Sequence, residues 1–183
     1  MLRHWRRSRE ERDSAERLYA AVVDAARRPE FYEGLGVPDT VEGRFELLAL
    51  HFYPVIHRLM YRPDGDPELA RRLSEAFVRD MDAVHREMGI GDISVPKRLK
   101  KLYGVFAGRI SAYRDGLRQG GEALADVLDR TIFFGRSDRQ AAARLAAYLA
   151  EAVAGLEDAD LAEWRAGAVR YPGPPAEAME ANR

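Results

Sequence analysis

Few residues of this chain are spaced for chemistry, and the nearest to it are Asp82 and His85, three positions apart and able to share one helix face. A carboxylate and an imidazole so placed can ligate a metal. A di-iron bundle, however, needs paired Glu-x-x-His elements with further glutamates on facing helices, and here there is one comparable element. Asp82 and His85 therefore read as a solvated pair or a local hydrogen bond. His4 lies in the N-terminal tail, and His51 and His57 are six apart, on different faces of a helix, which spoils a two-ligand site. The chain has no cysteine, which excludes disulfides, thiolate zinc sites and cysteine nucleophiles. There is no phosphate loop, nucleophile elbow or zinc-protease signature; Gly89 and Gly91 in MGIGD follow a helix rather than a strand and read as a helix stop and turn. The expectation is a protein that is not an enzyme and carries no metal and no cofactor.

The chemistry that remains is charge. All three lysines of the chain, Lys97, Lys100 and Lys101, fall in one cluster with Arg98, and every other basic position is arginine. Asp80, Asp82, Glu87 and Asp92 precede it closely. As a plain solvated face the cluster is mildly misplaced, because cations at a helix N-terminus oppose the helix dipole by some tenths of a kcal/mol. As a binding surface it attracts acidic protein, RNA phosphate or lipid headgroups, with roughly 1 kcal/mol per cation near an anionic surface. Both readings stand on charge alone. The carboxylates can pair with Arg79, Arg86 or the lysines, and exposed pairs of that kind contribute only about 0 to 1 kcal/mol. The aromatics Phe31, Tyr32, Phe52, Tyr53, Tyr103 and Phe106 sit at helical spacing and read mostly as core.

What positions these residues is a set of helices. The length of 183 residues suits one domain, and 46% hydrophobic with 32% charged residues is a globular balance. A formal net charge of -1 provides no global attraction to nucleic acid, so no DNA partner is expected. No run approaches the roughly 18 to 20 apolar residues of a membrane span. The N-terminus lacks a secretory apolar core and carries Glu10, Glu11, Asp13 and Glu16, which argues against a transit peptide. A cytoplasmic location follows, with peripheral contact at the inner face of the cytoplasmic membrane allowed by the basic cluster.

Apolar residues recur with helical spacing throughout, which predicts an all-α, single-domain bundle of about six to seven helices. Residues 1–12 read as a flexible basic tail, 13–168 as the helical domain and 169–183 (ending YPGPPAEAMEANR) as a disordered tail. Asp13 with Glu16 marks a first start, and Asp39 with Glu42 a second. That second helix carries Phe45, Leu48, Phe52, Ile56 and Leu59 on one stripe and should kink or break near Pro54. Asp66 and Pro67 open a helix ended by Gly89, and Pro96 opens the next, with Leu99, Leu102, Phe106, Ile110, Tyr113 and Leu117 inward. On it, Gly104 and Gly108 form a smooth strip suited to close approach of a second helix. A shorter helix follows Gly120 and Gly121. Ser137 with Gln140 caps an alanine-rich helix, and a last short one holds Leu161 and Trp164.

Two segments, FYEGLGVPDTVEGRFELLALH (Phe31 to His51) and FVRDMDAVHREMGIGDISVPKRLKKLYGVFAGRISAY (Phe77 to Tyr113), resemble the ubiquinol-cytochrome c chaperone family, the bacterial relatives of the cytochrome b assembly factor Cbp3. The likeness spans about Ala15 to Leu156, with D-M-D, R-E-M-G-x-G-D and K-R-x-K its most specific elements. It implies an all-helical, non-enzymatic factor that binds newly made cytochrome b and promotes assembly of the ubiquinol-cytochrome c reductase (bc1) complex. The matching polar positions, implied as partner-binding, are Asp39, Glu42, Arg44, Asp80, Asp82, Glu87, Asp92, Lys97, Arg98, Lys100 and Arg109, with Lys101 added from the basic cluster. Mitochondrial members act near the ribosomal tunnel exit with a small partner subunit, so the ribosome or such a subunit is a further candidate partner. His85 and Ala107 depart from the family's usual leucine and tyrosine. The expected working surface is a groove between the kinked second helix and the Phe77 to Tyr113 pair, rimmed by Lys97 to Lys101. The alternative is a helical lipid- or quinone-binding protein serving biosynthesis, which would enclose an apolar cavity.

Overall fold

The computed structural model describes residues 2–87, 95–136 and 139–175, and in these all the regular structure is helical. Eight helices follow one another: α1 (Leu2–Ala26), α2 (Pro29–Glu33), α3 (Val41–Tyr61), α4 (Pro67–Glu87), α5 (Val95–Gln119), α6 (Gly121–Thr131), α7 (Arg139–Leu156) and α8 (Leu161–Arg165). No strand occurs among the described residues.

The axis of the fold is α3, whose buried residues run without a gap from Glu46 to Ile56. A helix apolar on all sides must be wrapped on all sides. On one side Phe52, Val55 and Leu59 join Leu18 and Val22 of α1, Leu73 and Phe77 of α4, and Trp164 of α8. On the other, Leu47, Leu50 and Tyr53 join Phe31 of α2, Tyr113 of α5, Leu128 of α6, and Leu145 and Leu149 of α7. This double burial explains why α3 continues through Pro54 without a break: the lost backbone donor is outweighed by packing on both flanks.

Several boundaries differ from those the sequence suggests. Asp13 lies inside α1, which reaches back to Leu2. The Arg/Glu-rich stretch is good helix sequence, and Glu11 pairs with Arg72 of α4 at 2.9 Å, so nothing ends the helix there. The cap of α3 is Thr40, whose hydroxyl accepts from the Gly43 N–H at 3.1 Å, while Asp39 binds Arg44 instead. Asp66 does cap α4, accepting from the Leu69 N–H at 3.0 Å. Gly89 and Ser137 lie outside the described residues.

The C-terminal segment expected to be loose from 169 is packed as far as the described residues reach. The Tyr171 hydroxyl donates to the His51 carbonyl at 2.6 Å, Arg28 donates to the Pro172 carbonyl at 3.3 Å, and Arg144 to the Pro175 carbonyl at 3.2 Å. Proline-rich composition suggested disorder, but prolines also lower the entropy lost on ordering, and one tyrosine supplies the anchor.

Candidate functional site: the open face of α5

Three phenylalanines fix α5 in place. Phe106 stacks on Phe77 of α4 with ring centroids 4.6 Å apart and meets Phe52 of α3 edge-on at 5.0 Å. All three rings are buried, so the corner between α3, α4 and α5 is filled by the protein's own core. The expected groove there is not open among the described residues, because aromatics that the spacing assigns to the core fill it.

Among the described residues nothing covers the opposite face of α5. Lys97, Lys100, Gly104, Ala107 and Gly108 are all exposed, and their spacing of three and four keeps them on one side of the helix. Tyr103 stands at its edge, 39% exposed, its hydroxyl held above the ordinary range by partial burial and by the nearby Glu75 carboxylate. A Cβ placed on Gly104 or Gly108 would meet no atom within 4 Å. Among the described residues no second helix of the chain packs on this glycine pair. Each mid-helix glycine costs roughly 0.5 to 1 kcal/mol relative to alanine, and no packing within the described residues repays it. By contrast Gly116, on the same helix, is required internally, since a Cβ there would lie 3.1 Å from the Leu124 Cα of α6.

The other sequence-derived positions divide by what they touch. Arg109 gives two hydrogen bonds to Glu46 of α3 and holds α5 down. Asp80 accepts from the Tyr19 hydroxyl at 2.8 Å, tying α4 to α1. Asp39 and Arg44 pair with each other at 2.6 Å at the start of α3, which draws the Asp39 carboxyl below its usual range. Glu42 is exposed beside them. Asp92 and the side chains of Asp82, Glu87, Arg98 and Lys101 lie outside the described residues. Gly104 and Gly108 entered the sequence reading only as a packing strip, and Glu46 was not singled out. The clue to Glu46 was a charge set within the apolar stripe of α3.

His51 is enclosed rather than aligned with His57. Its Nδ1 lies 2.8 Å from the Leu47 carbonyl, which can only accept, so Nδ1 carries the proton and Nε2 accepts from the Tyr148 hydroxyl at 2.9 Å. Burial pushes its pKa down to about 4. This neutral, satisfied imidazole is a core residue. Among the described residues no cluster of three or more His, Cys, Asp or Glu could hold a metal ion, and no helix is long and apolar enough to cross a membrane.

A family model described as Ubiquinol-cytochrome C chaperone matches residues 33–171, from the end of α2 to the tyrosine that reaches the His51 carbonyl. The chain belongs to the ubiquinol-cytochrome c chaperone family. A relative from Xenopus laevis, ubiquinol-cytochrome-c reductase complex assembly factor 1, is 23% identical over 119 residues, which are 65% of this chain and 60% of that protein. This chain thus spans less than two thirds of the length of that relative. The crystal structure of the Cbp3 homolog from Brucella abortus superposes with a TM-score of 0.82 at 36% identity, covering 94% of this chain and 96% of that one. Within this family frame, the matched segment contains both the bare α5 face and the Glu46–Arg109 clamp that orients it, while α1 precedes the match yet buries Leu18 and Val22 in the core.

Proposed function

We propose that this protein is an assembly chaperone for the ubiquinol-cytochrome c reductase complex, that it holds newly made cytochrome b, and that it acts by binding rather than turnover. The observation that carries the reading is the α5 face, where two helix-interior glycines, with no atom among the described residues within 4 Å of where a Cβ would stand, are exposed beside Lys97 and Lys100. A helix of the client can approach such a strip closely, because glycine removes the side chains that keep helix axes apart. The lysines at its start meet acidic client loops or anionic headgroups at the inner membrane surface, with Arg98 and Lys101 beside them in sequence. Family membership and the name of the frog relative, a reductase complex assembly factor, support the same reading. Arg109 and Asp80 serve it indirectly, by fixing the helices that present the face.

Deleting the gene tests the proposal. Assembled reductase complex and cytochrome b haem absorbance should both fall, and crosslinking from position 103, at the edge of the glycine strip, in growing cells should capture cytochrome b. Normal amounts of the complex and of the haem in the deletion strain would reject it.

A further inference from the structure

The seam between α6 and α7 opens outward into a groove of about 480 Å³ that shares no lining residue with the α5 face. Buried Ala142 and Ala146 line its depth, and exposed Ala143, Ala147 and Ala150 form the α7 wall. Alanines at this spacing repeat along one side of a helix. A wall with no atoms beyond Cβ lets another helix pack at the short end of the usual spacing, about 8 Å between axes. The stretch from Arg139 to Ala150 is about 18 Å long, enough for roughly three turns of a docked helix.

The α6 wall is charged and has one dominant sign. Glu122, Asp126 and Asp129 line it, and among the described lining residues the one base is Arg139, which lies 3.6 Å from Glu122 with both side chains largely exposed. An acidic rim repels anionic lipid and nucleic acid. Both walls are helices, so there is no strand edge to which an extended peptide could add. What fits is apolar on one side, basic on the other and helical.

We propose that the α6–α7 groove docks an amphipathic helix of a partner protein, its alanine or leucine face against Ala143, Ala147 and Ala150 and its lysines or arginines against the exposed Glu122 and Asp126. This surface is separate from the α5 face and does not depend on the client assigned to it.

The test uses the full chain and a labelled synthetic peptide of about 18 residues with an alanine/leucine face and a lysine/arginine face, read by fluorescence anisotropy and by backbone NMR shifts. Binding should move signals of α6 and α7 residues lining the groove. It should weaken by about tenfold or more in Ala147→Phe, which fills the groove, and in the Glu122→Lys/Asp126→Lys pair. It should persist in Lys97→Glu/Lys100→Glu, which separates this site from the proposed client face. No binding, equal binding of a scrambled peptide with the same composition, or shifts away from α6 and α7 would overturn the inference. So would concentration-dependent self-association that Ala147→Phe abolishes, since the occupant would then be a second copy of the chain.

Discussion

Glu46 of α3 accepts two hydrogen bonds from Arg109 of α5, at 2.6 Å from Nε and 2.7 Å from Nη2, across the interface that orients the bare α5 face. The two ends are unequal: the Glu46 side chain is 6% exposed and that of Arg109 28%. Losing the arginine strands a buried carboxylate, whereas losing the glutamate leaves a guanidinium that can turn to water. Arg109→Ala should therefore cost about 3 kcal/mol and Glu46→Ala about half that. The double variant should recover part of the arginine loss, giving a nonzero coupling energy in a double-mutant cycle. Urea unfolding of the four proteins measures this, and equal losses in the two single variants would contradict the asymmetry.

Gly43 tests the opposite sign from the α5 glycines. Alanine is ordinarily worth up to about 1 kcal/mol over glycine within a helix. Here, in the first turn of α3, a Cβ would overlap the Pro38 carbonyl, a backbone atom held by the turn that delivers Thr40 to its cap. Strain of that kind costs roughly 1 to 3 kcal/mol and wins. Gly43→Ala should lower the urea midpoint, whereas Gly104→Ala should raise it.

His51 gives the pH dependence its direction. Burial holds its folded pKa at about 4 against an ordinary value of 6.5. The unfolded chain thus binds the proton more readily between those values, and the stability present above about pH 6.5 is lost as the pH falls toward about 4. From pH 7 to pH 5 the loss from this group is on the order of 2 kcal/mol. His57, also kept below its ordinary range by burial, adds in the same direction. Denaturant titrations at the two pH values should show a steeper dependence in the parent chain than in His51→Gln. Parallel pH profiles would show that His51 takes up its proton without cost.

The helices were legible wherever a periodic stripe met a stop signal, as at Asp66 and Pro67 or around Gly120 and Gly121. What sequence reasoning missed was set by partners distant in the chain. The start of α1 was hidden because Asp13 and Glu16 have the form of a cap while Glu11 in fact reaches Arg72. The C-terminal strap was hidden because its anchor, Tyr171, binds a carbonyl far away in sequence on α3. For the site, charge and spacing located the exposed lysines of α5, but they could not separate Arg109, committed to Glu46, from residues left free to meet a partner. The helical spacing of Phe52 and Phe106 placed them in the core, but it could not show that with Phe77 they fill the corner where a groove was expected.

The α5 glycines provide the sharpest functional prediction because stability and function should move in opposite directions. A Cβ at Gly104 or Gly108 meets nothing within 4 Å, so alanine at each should stabilise the fold by about 0.5 to 1 kcal/mol. For a chain of this length that raises the melting temperature by roughly 1 to 4 °C per site. If the bare strip is where a client helix lies, the added side chains hold that helix away. Gly104→Leu/Gly108→Leu should then fold at least as stably as the parent yet fail to restore reductase assembly in a deletion strain. Lys97→Glu/Lys100→Glu should weaken assembly with little change in melting temperature, because both side chains are exposed. Full assembly supported by the leucine pair would mean that nothing docks on this strip and that its glycines are tolerated rather than used.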